Sequence, residues 1–394
     1  LLLKPDLKKI PFIDKIAQTA SEQGTEIFFV GGCVRDMLLE RHIKDIDMVP
    51  FGTDYEKFAF RLAKRLRAAA VSFKDNVRLA RGGLEFDVSA PRGADIYEDL
   101  SKRDFTVNNL ALSTGGEVIG DDADIRAGLI RIVHESAFDD DPLRVLRMYR
   151  FASQLGFEID GHTAELAAAK AHMLNTVAAE RIFAEMQKLA EGAHAASVLT
   201  KLVKDGVLRL FSDTSAVEEA RLLKALEGMA ADDLFVKTSA FIYGFRNEAL
   251  KVMDRQCYPV KLAKRAANTA SAYSMLESMQ DYSVDNLMKY IYTYKEDWIL
   301  GADMFTAVNG GSGLKPKLNT AFALMRFDNE SLIDGKALSE MGVPAGKLMG
   351  EIIRDASFRL VSGRLKDKED AENYIKNTYG ERIDEAAEIQ NRKG

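Results

Sequence analysis

Asp45 and Asp47 stand two residues apart in the segment Lys44-Asp45-Ile46-Asp47-Met48-Val49, which alternates polar and apolar residues like a β-strand. Side chains at i and i+2 of a strand share a face, so the two carboxylates are expected side by side with Ile46 turned into the core. Adjacent carboxylates repel unless a cation lies between them. The pair therefore suits one or two Mg²⁺ ions that bridge a nucleoside triphosphate and activate an attacking hydroxyl for in-line displacement. The competing explanation is an exposed strand face with two solvated acids. A third carboxylate is expected at such a site, and Glu85-Phe86-Asp87-Val88 offers Glu85 or Asp87 on one face of a later strand, again against a plain solvated edge.

Three further segments could handle a nucleotide. Phe28-Phe29-Val30-Gly31-Gly32-Cys33-Val34-Arg35-Asp36 reads as a strand, a tight glycine turn and the first turn of a helix. Such a turn presents backbone N–H groups of Gly31 and Gly32 to a phosphate, and Arg35 adds a charge-assisted donor; a plain strand-to-helix turn explains it equally. In Lys102-Arg103-Asp104-Phe105-Thr106-Val107-Asn108 the cations could clamp phosphates and Asp104 a ribose hydroxyl, where an ordinary charged turn is the alternative. Asp139-Asp140-Asp141-Pro142-Leu143-Arg144 opens a helix that carries Arg144, Arg147 and Arg150 at three-residue intervals. Asp141 before Pro142 is a helix cap, and an arginine beside a carboxylate offers donors and acceptors in one plane, as edge-on reading of a base requires. Against this stands a solvated basic stripe.

The elements that must position these residues change character along the chain. Up to about residue 133, helical stretches (Ile10–Ser21, Asp54–Ala69) alternate with strand candidates at Thr25–Val30, Ile43–Val49, Val77–Leu79, Leu84–Ser89 and Leu110–Leu112. From Asp139 onward strand signals nearly vanish and helical patterns dominate, broken near Gly192, at Gly310-Gly311-Ser312-Gly313 and near Gly335. The expected fold is an α/β head with a small mixed sheet over 1–133, followed by all-α regions over 134–195, 196–310 and 311–394. At 394 residues, 47% hydrophobic and 29% charged, the chain has the composition of a soluble globular protein of several units. Two cysteines and five scattered histidines supply neither a disulfide framework nor a zinc cluster, so a metal must sit on oxygen ligands. The start, Leu1-Leu2-Leu3-Lys4-Pro5-Asp6, lacks signal-peptide features, no apolar run spans a bilayer, and the sequence reads as cytoplasmic with no protein partner inferred. A net charge of −6 argues against a protein coated in nucleic acid, while leaving room for a local basic surface.

Taken together and in this order, Gly-Gly-x-Val-Arg-Asp, Asp-Ile-Asp, Lys-Arg-Asp-Phe-Thr-Val-Asn and Asp-Asp-Pro-Leu-Arg-x-Leu-Arg-x-x-Arg-Phe resemble the bacterial class II tRNA nucleotidyltransferase and poly(A) polymerase family. With Ile125–Arg131 between them, these motifs cover most of 25–190; Ala179–Ile182 with Glu185 looks like the family's next helix, and Leu332–Lys347 is similar to the tail of its tRNA-specific members. The resemblance implies a catalytic head, a neck that reads the incoming base, and a body and tail that hold tRNA. It implies that Asp45 and Asp47 are metal ligands for Mg²⁺, with Asp87 preferred over Glu85 as the third carboxylate. Gly32 and Arg35 fall among its triphosphate contacts; Arg103, Asp104 and Asn108 fall where it handles phosphate and ribose. Asp141 and Arg144 resemble its amino-acid template for CTP and ATP, with Arg147 and Arg150 beside them. The implied reaction is attack of the tRNA 3′-hydroxyl on the α-phosphate of CTP, and of ATP if the terminal A is also added.

The departures matter too. Lys102 stands where many relatives have an arginine, which keeps charge but loses a bidentate fork. Only Gly93-Ala94-Asp95-Ile96 separate Arg92 from Tyr97, where complete CCA-adding relatives carry a longer flexible loop associated with switching from C to A. That shortening leans towards CC addition, with full CCA addition as the alternative. A poly(A) polymerase would generally end in a strongly basic extension, whereas Asp367–Glu388 is mixed and rather acidic. A tRNA-binding module without catalysis is disfavoured because both acids are intact, and the absence of an adjacent His-Asp in the helical region predicts no phosphohydrolase activity.

Overall fold

The computed structural model of the chain describes residues 5–43, 45–212, 214–310 and 313–391; Lys44, the first four residues and the Gly311-Ser312 part of the glycine-rich break lie outside them. Its contacts gather into two compact units, one up to Ser215 and the other from Ala216 onward. The 1–133 and 134–195 regions both fall in the first. The expected boundary at 310 falls inside the second.

The first unit is built on a mixed sheet in the order β3-β4-β5-β2-β1-β6-β7. Its strands are β1 (Glu26–Val30), β2 (Asp45–Phe51), β3 (Ala69–Ser72), β4 (Asn76–Arg81), β5 (Leu84–Ser89), β6 (Ala111–Ser113) and β7 (Val118–Ile119). β2 and β5 run parallel and the other neighbours antiparallel. Ile46, Met48, Phe86 and Val88 are wholly or almost wholly buried on one face, next to helices α1 (Ile13–Gln23) and α3 (Tyr55–Leu66). α3 begins where the Asp54 carboxylate accepts from the Glu56 and Lys57 amides, and it ends where Arg67 turns left-handed at φ 54°. The helix thus stops short of the expected Ala69, which instead opens β3, a largely exposed strand with no apolar alternation to betray it. On the opposite face, Phe28, Val30 and Val49 pack with Ile96 and Leu100 of α4 (Ile96–Ser101). This cover reaches Val49 but not the carboxylates two and four residues before it.

The helical part of the first unit includes α5 (Ala123–Ala127), α6 (Ala137–Asp140), α7 (Arg144–Leu155), α8 (Gly161–Lys170), α9 (Ala179–Ala190) and α10 (Ala195–Lys204). It is tied to the sheet region by backbone. Leu129–Ile130 pairs in parallel with Glu158–Ile159, a ladder of two residues per strand that is too short for any periodic signal and departs from the expected strand-free region beyond Asp139.

The second unit has no strand among its described residues. Its long helix Val260–Ser278 packs against Trp298–Asn309, and the approach is close because Gly301 faces Ala272, Tyr273 and Tyr290; a Cβ there would come within 2.5 Å of the Ala272 side chain. A second core gathers Ile333, Leu338, Ile352, Leu360, Ile375 and Ile383. An apolar cavity of about 380 Å³ lies among Tyr292, Trp298, Ile299, Phe322 and Phe327, and no candidate site residue borders it. No described helix is long and apolar enough to cross a membrane.

Candidate active site

The strand register brings the acids together. β2 and β5 pair Asp45 with Glu85 and Asp47 with Asp87, so all four carboxylates lie on one face of the sheet. β5 is an interior strand, flanked by β4 and β2, so the competing explanation of a solvated edge does not hold. Asp47 is partly buried, whereas Asp45 is exposed. Burial, then the charges of Asp87 and Asp45, push the Asp47 carboxyl up to about 6 against the pull of Arg103 and Arg35. Of the two candidates for the third acid, Asp87 is the one opposite Asp47.

Gly31 adopts φ 68° and ψ −128°, a combination essentially reserved for glycine, at the start of α2 (Gly32–Leu38). Its missing side chain matters for space as well, since a Cβ would stand 3.0 Å from Arg103 Nη1 and 4.0 Å from Asp47 Oδ2. The glycine turn, Asp47 and Arg103 therefore converge. Arg103 is aimed by Asp99, a fully buried acid four residues earlier that accepts from Arg103 Nη2 at 2.7 Å and from the Arg92 amide at 3.0 Å. Asp99 was not singled out in the sequence, although the i, i+4 spacing on a helix was available. Gly31→Ala is expected to cost about 1–3 kcal/mol through the forced backbone conformation alone. Thermal melting checks it, and an unchanged midpoint would show that the turn tolerates a side chain.

A second network joins Arg35, Asp104, Asn108, Arg147 and Arg150. Arg35 Nη1 donates to Asn108 Oδ1 at 2.7 Å, and Asn108 Nδ2 donates to Asp104 Oδ1 at 3.1 Å. Asp104 Oδ2 accepts from Arg147 Nε at 2.9 Å and from Arg147 Nη2. Glu185 on α9 pairs with Arg150 at 2.7 Å and lies 3.9 Å from Arg147. The guanidinium groups of Arg35, Arg147 and Arg150 all pack on the Phe151 ring, at 5.6, 5.5 and 4.0 Å from its centre. Burial alone would push the Asp104 carboxyl up, but Arg147, Asn108 and the Phe105 amide hold it at about 2.

The arginines of α7 are not a solvated stripe: the Arg144 and Arg150 side chains are each only 12% exposed. The side chains of Arg144 and Asp141 nevertheless engage different partners. Asp141 pairs with Arg181 of α9 at 2.7 Å, and its other oxygen accepts from the Leu143 amide. Arg144 donates to the carbonyls of Ala137 and Lys102.

Among the described residues no three His, Cys, Asp or Glu side chains are already gathered at metal-ligand distance. The acid face still fits a divalent cation, because Asp45, Asp47 and Asp87 present their carboxylates on one face, and burial together with the charges of Asp87 and Asp45 disfavours a bare negative charge on Asp47 that a cation would offset. Two carboxylates are also enough for Mg²⁺, which usually completes its oxygen shell with water and substrate phosphates.

Residues 27–131 match the poly A polymerase head domain, and 156–216 match a probable RNA and SrmB-binding site of polymerase A. The chain is 34% identical to the CCA-adding enzyme of Oceanobacillus iheyensis over 93% of its own length and 96% of that protein. It is 36% identical to the CC-adding tRNA nucleotidyltransferase of Geobacter sulfurreducens over 56% of its own length and 54% of that one. In fold it is similar to the Thermotoga maritima CCA-adding enzyme solved in complex with tRNA, with a TM-score of 0.72, 23% identity, and coverage of 94% of this chain and 96% of that one. The chain therefore belongs to the class II tRNA nucleotidyltransferase and poly(A) polymerase family, as an enzyme of tRNA CCA-end synthesis.

Proposed function

We propose that this enzyme is a CC-adding member of the family: it transfers CMP from CTP to the 3′ end of tRNA and stops before the terminal A. The observation that carries this reading is the tight connection from β5 to α4. The Ala90 amide donates to the Asp75 carbonyl at 3.0 Å, the Arg92 amide to the buried Asp99 and the Ala94 amide to Glu98, and Asp95 caps α4 by accepting from the Glu98 amide. A segment so bonded has little slack with which to reshape a base pocket between CTP and ATP. Full CCA addition is the second reading, favoured by the nearly full-length match to a CCA-adding relative.

In this proposal Asp45 and Asp47 hold Mg²⁺, which when bound supplies the positive charge that polarises the α-phosphate and the attacking hydroxyl. The residues of the chain orient the reactants. The Gly31-Gly32 turn and Arg103 receive the triphosphate, with Arg35 tying that turn to Asn108 and Asp104 near the ribose. Asp141 and Arg144 read the edge of the base, Arg147 holds the arginine helix against the head through Asp104, and Arg150 ties that helix to Glu185 of α9. The regions 134–195, 196–310 and 311–394 take the parts of base-reading neck, body and tRNA-holding tail.

The experiment offers tRNA lacking its 3′ end CTP alone, ATP alone, or both, and sequences the products. Products that end in CC in every mixture containing CTP support the proposal. Efficient conversion to CCA when both nucleotides are present establishes the second reading instead.

A further inference from the structure

One charged group on the acid face has no part in the reading above. Arg78 lies opposite Asp87 in the β4–β5 hairpin and grips that carboxylate with two donors, Nε to Oδ1 at 2.9 Å and Nη2 to Oδ2 at 2.8 Å. Asn76, one position beyond on the same face of β4, donates to Asp87 Oδ1 at 3.2 Å. Arg78 Nη1 also lies 3.1 Å from Glu85, and the Asp45 charge acts on it. A carboxylate has about four acceptor positions, and three at Asp87 are filled by these donors. Among the described residues no comparable fork grips Asp47, its partner in register.

We propose that Arg78 is a positioning residue for the third carboxylate: it fixes the orientation of Asp87 and offsets its charge, so that the acid face takes its cation chiefly through Asp45 and Asp47. This rests on the assignment of those two acids as the cation site. The arrangement gives Arg78 two separable effects. Its planar fork sets where the remaining acceptor position of Asp87 points, and its charge sets how strongly the cluster attracts a divalent ion. The outward placement of Arg78, 45% exposed between the fully buried Val77 and Leu79, makes it removable without opening the core.

The test uses the full-length protein and two readouts, steady-state CMP addition and Mn²⁺ titration followed by electron paramagnetic resonance. Arg78→Gln should lower kcat about 10–100-fold, the range typical of removing a residue that orients a metal-site ligand, with KM for CTP little changed. The same variant should bind Mn²⁺ about fivefold more tightly, because a neighbouring positive charge is gone. Arg78→Lys keeps the charge but not the fork, so its Mn²⁺ affinity should stay at the parental value while kcat remains reduced. A merely structural role would weaken both readouts together. Unchanged kcat in Arg78→Gln, or weaker Mn²⁺ binding, overturns the proposal; if that variant does not fold, Arg78→Lys and Asn76→Ala carry the test through the same split. Asp47→Asn is the control for the underlying assignment. If it binds Mn²⁺ as the parent does, the acid face is not the cation site, and the proposal falls for that reason rather than through Arg78.

Discussion

Asp47→Asn is expected to lower kcat for CMP addition by a thousandfold or more, about 4 kcal/mol of barrier, because one of the two carboxylates of the proposed metal site is lost. The same substitution should not destabilise the protein. The Asp47 carboxyl is raised to about 6 in the fold from an ordinary 3.8. Between those two values the folded state retains a proton that the unfolded chain has released, so stability falls as pH rises through this window. Above pH 6 the full cost is present, on the order of 1–3 kcal/mol once solvent access is allowed for. A neutral amide removes that cost. In metal-free buffer at pH 8 the variant should therefore melt at or above the parental temperature, and at pH 4 the advantage should vanish. An active Asn variant, or one that melts lower at pH 8, would remove Asp47 from the site.

Asp104→Asn should behave in the opposite sense. It strips the partner from Arg147 inside a largely buried network, at an expected cost of about 2–4 kcal/mol at neutral pH, the lower part of the usual range because Arg147 is partly solvated. The pH dependence follows from a carboxyl depressed to about 2. Its contribution is complete above the ordinary value near 3.8 and fades as pH falls from there towards 2. Urea titrations of parent and variant at pH 7 and pH 3 should show a gap that narrows at the lower pH. Activity should fall about a hundredfold as well, since Arg147 loses its carboxylate partner and the Asn108 side chain that holds Arg35 loses its own charged acceptor, and displacement of a positioning group by about 1 Å is costly. A variant as stable as the parent at pH 7 would show that the network carries little energy.

Much of this site was legible in the sequence because it depends on short-range geometry. Asp45 and Asp47 share a face by strand periodicity, and Gly31 sits where a strand must turn into a helix. Which of Glu85 and Asp87 lies opposite Asp47 was not open to periodicity, which puts both on one face; it follows from the pairing of β2 with β5, a contact between segments 40 residues apart. Arg78 lay within reach. The Gly82-Gly83 turn joins two strand candidates, and counting outward from it sets Arg78 against Asp87, but Val77–Leu79 was read only for its apolar residues. The partners of Asp141 and Arg144 could not have been found this way. Arg181 reaches Asp141 from 40 positions along the chain, and Arg144 is held by main-chain carbonyls that carry no residue identity.

The stretch from Gly128 to Val133 is bonded through main chain on both of its sides. On one side the Val133 amide donates to the Asp104 carbonyl and the Thr106 amide to the Arg131 carbonyl; on the other, the Glu158 and Asp160 amides donate to the carbonyls of Gly128 and Ile130. Main chain thus splints the Asp104 turn to the segment that follows the arginine helix. If the proposed assignments of the phosphate and base contacts hold, this splint limits how far the two can move apart. Adding or deleting one residue in the splint would shift the paired strand by about 3.3 Å and turn its alternate side chains to the wrong face, so the length of this segment is constrained even where its side chains are not.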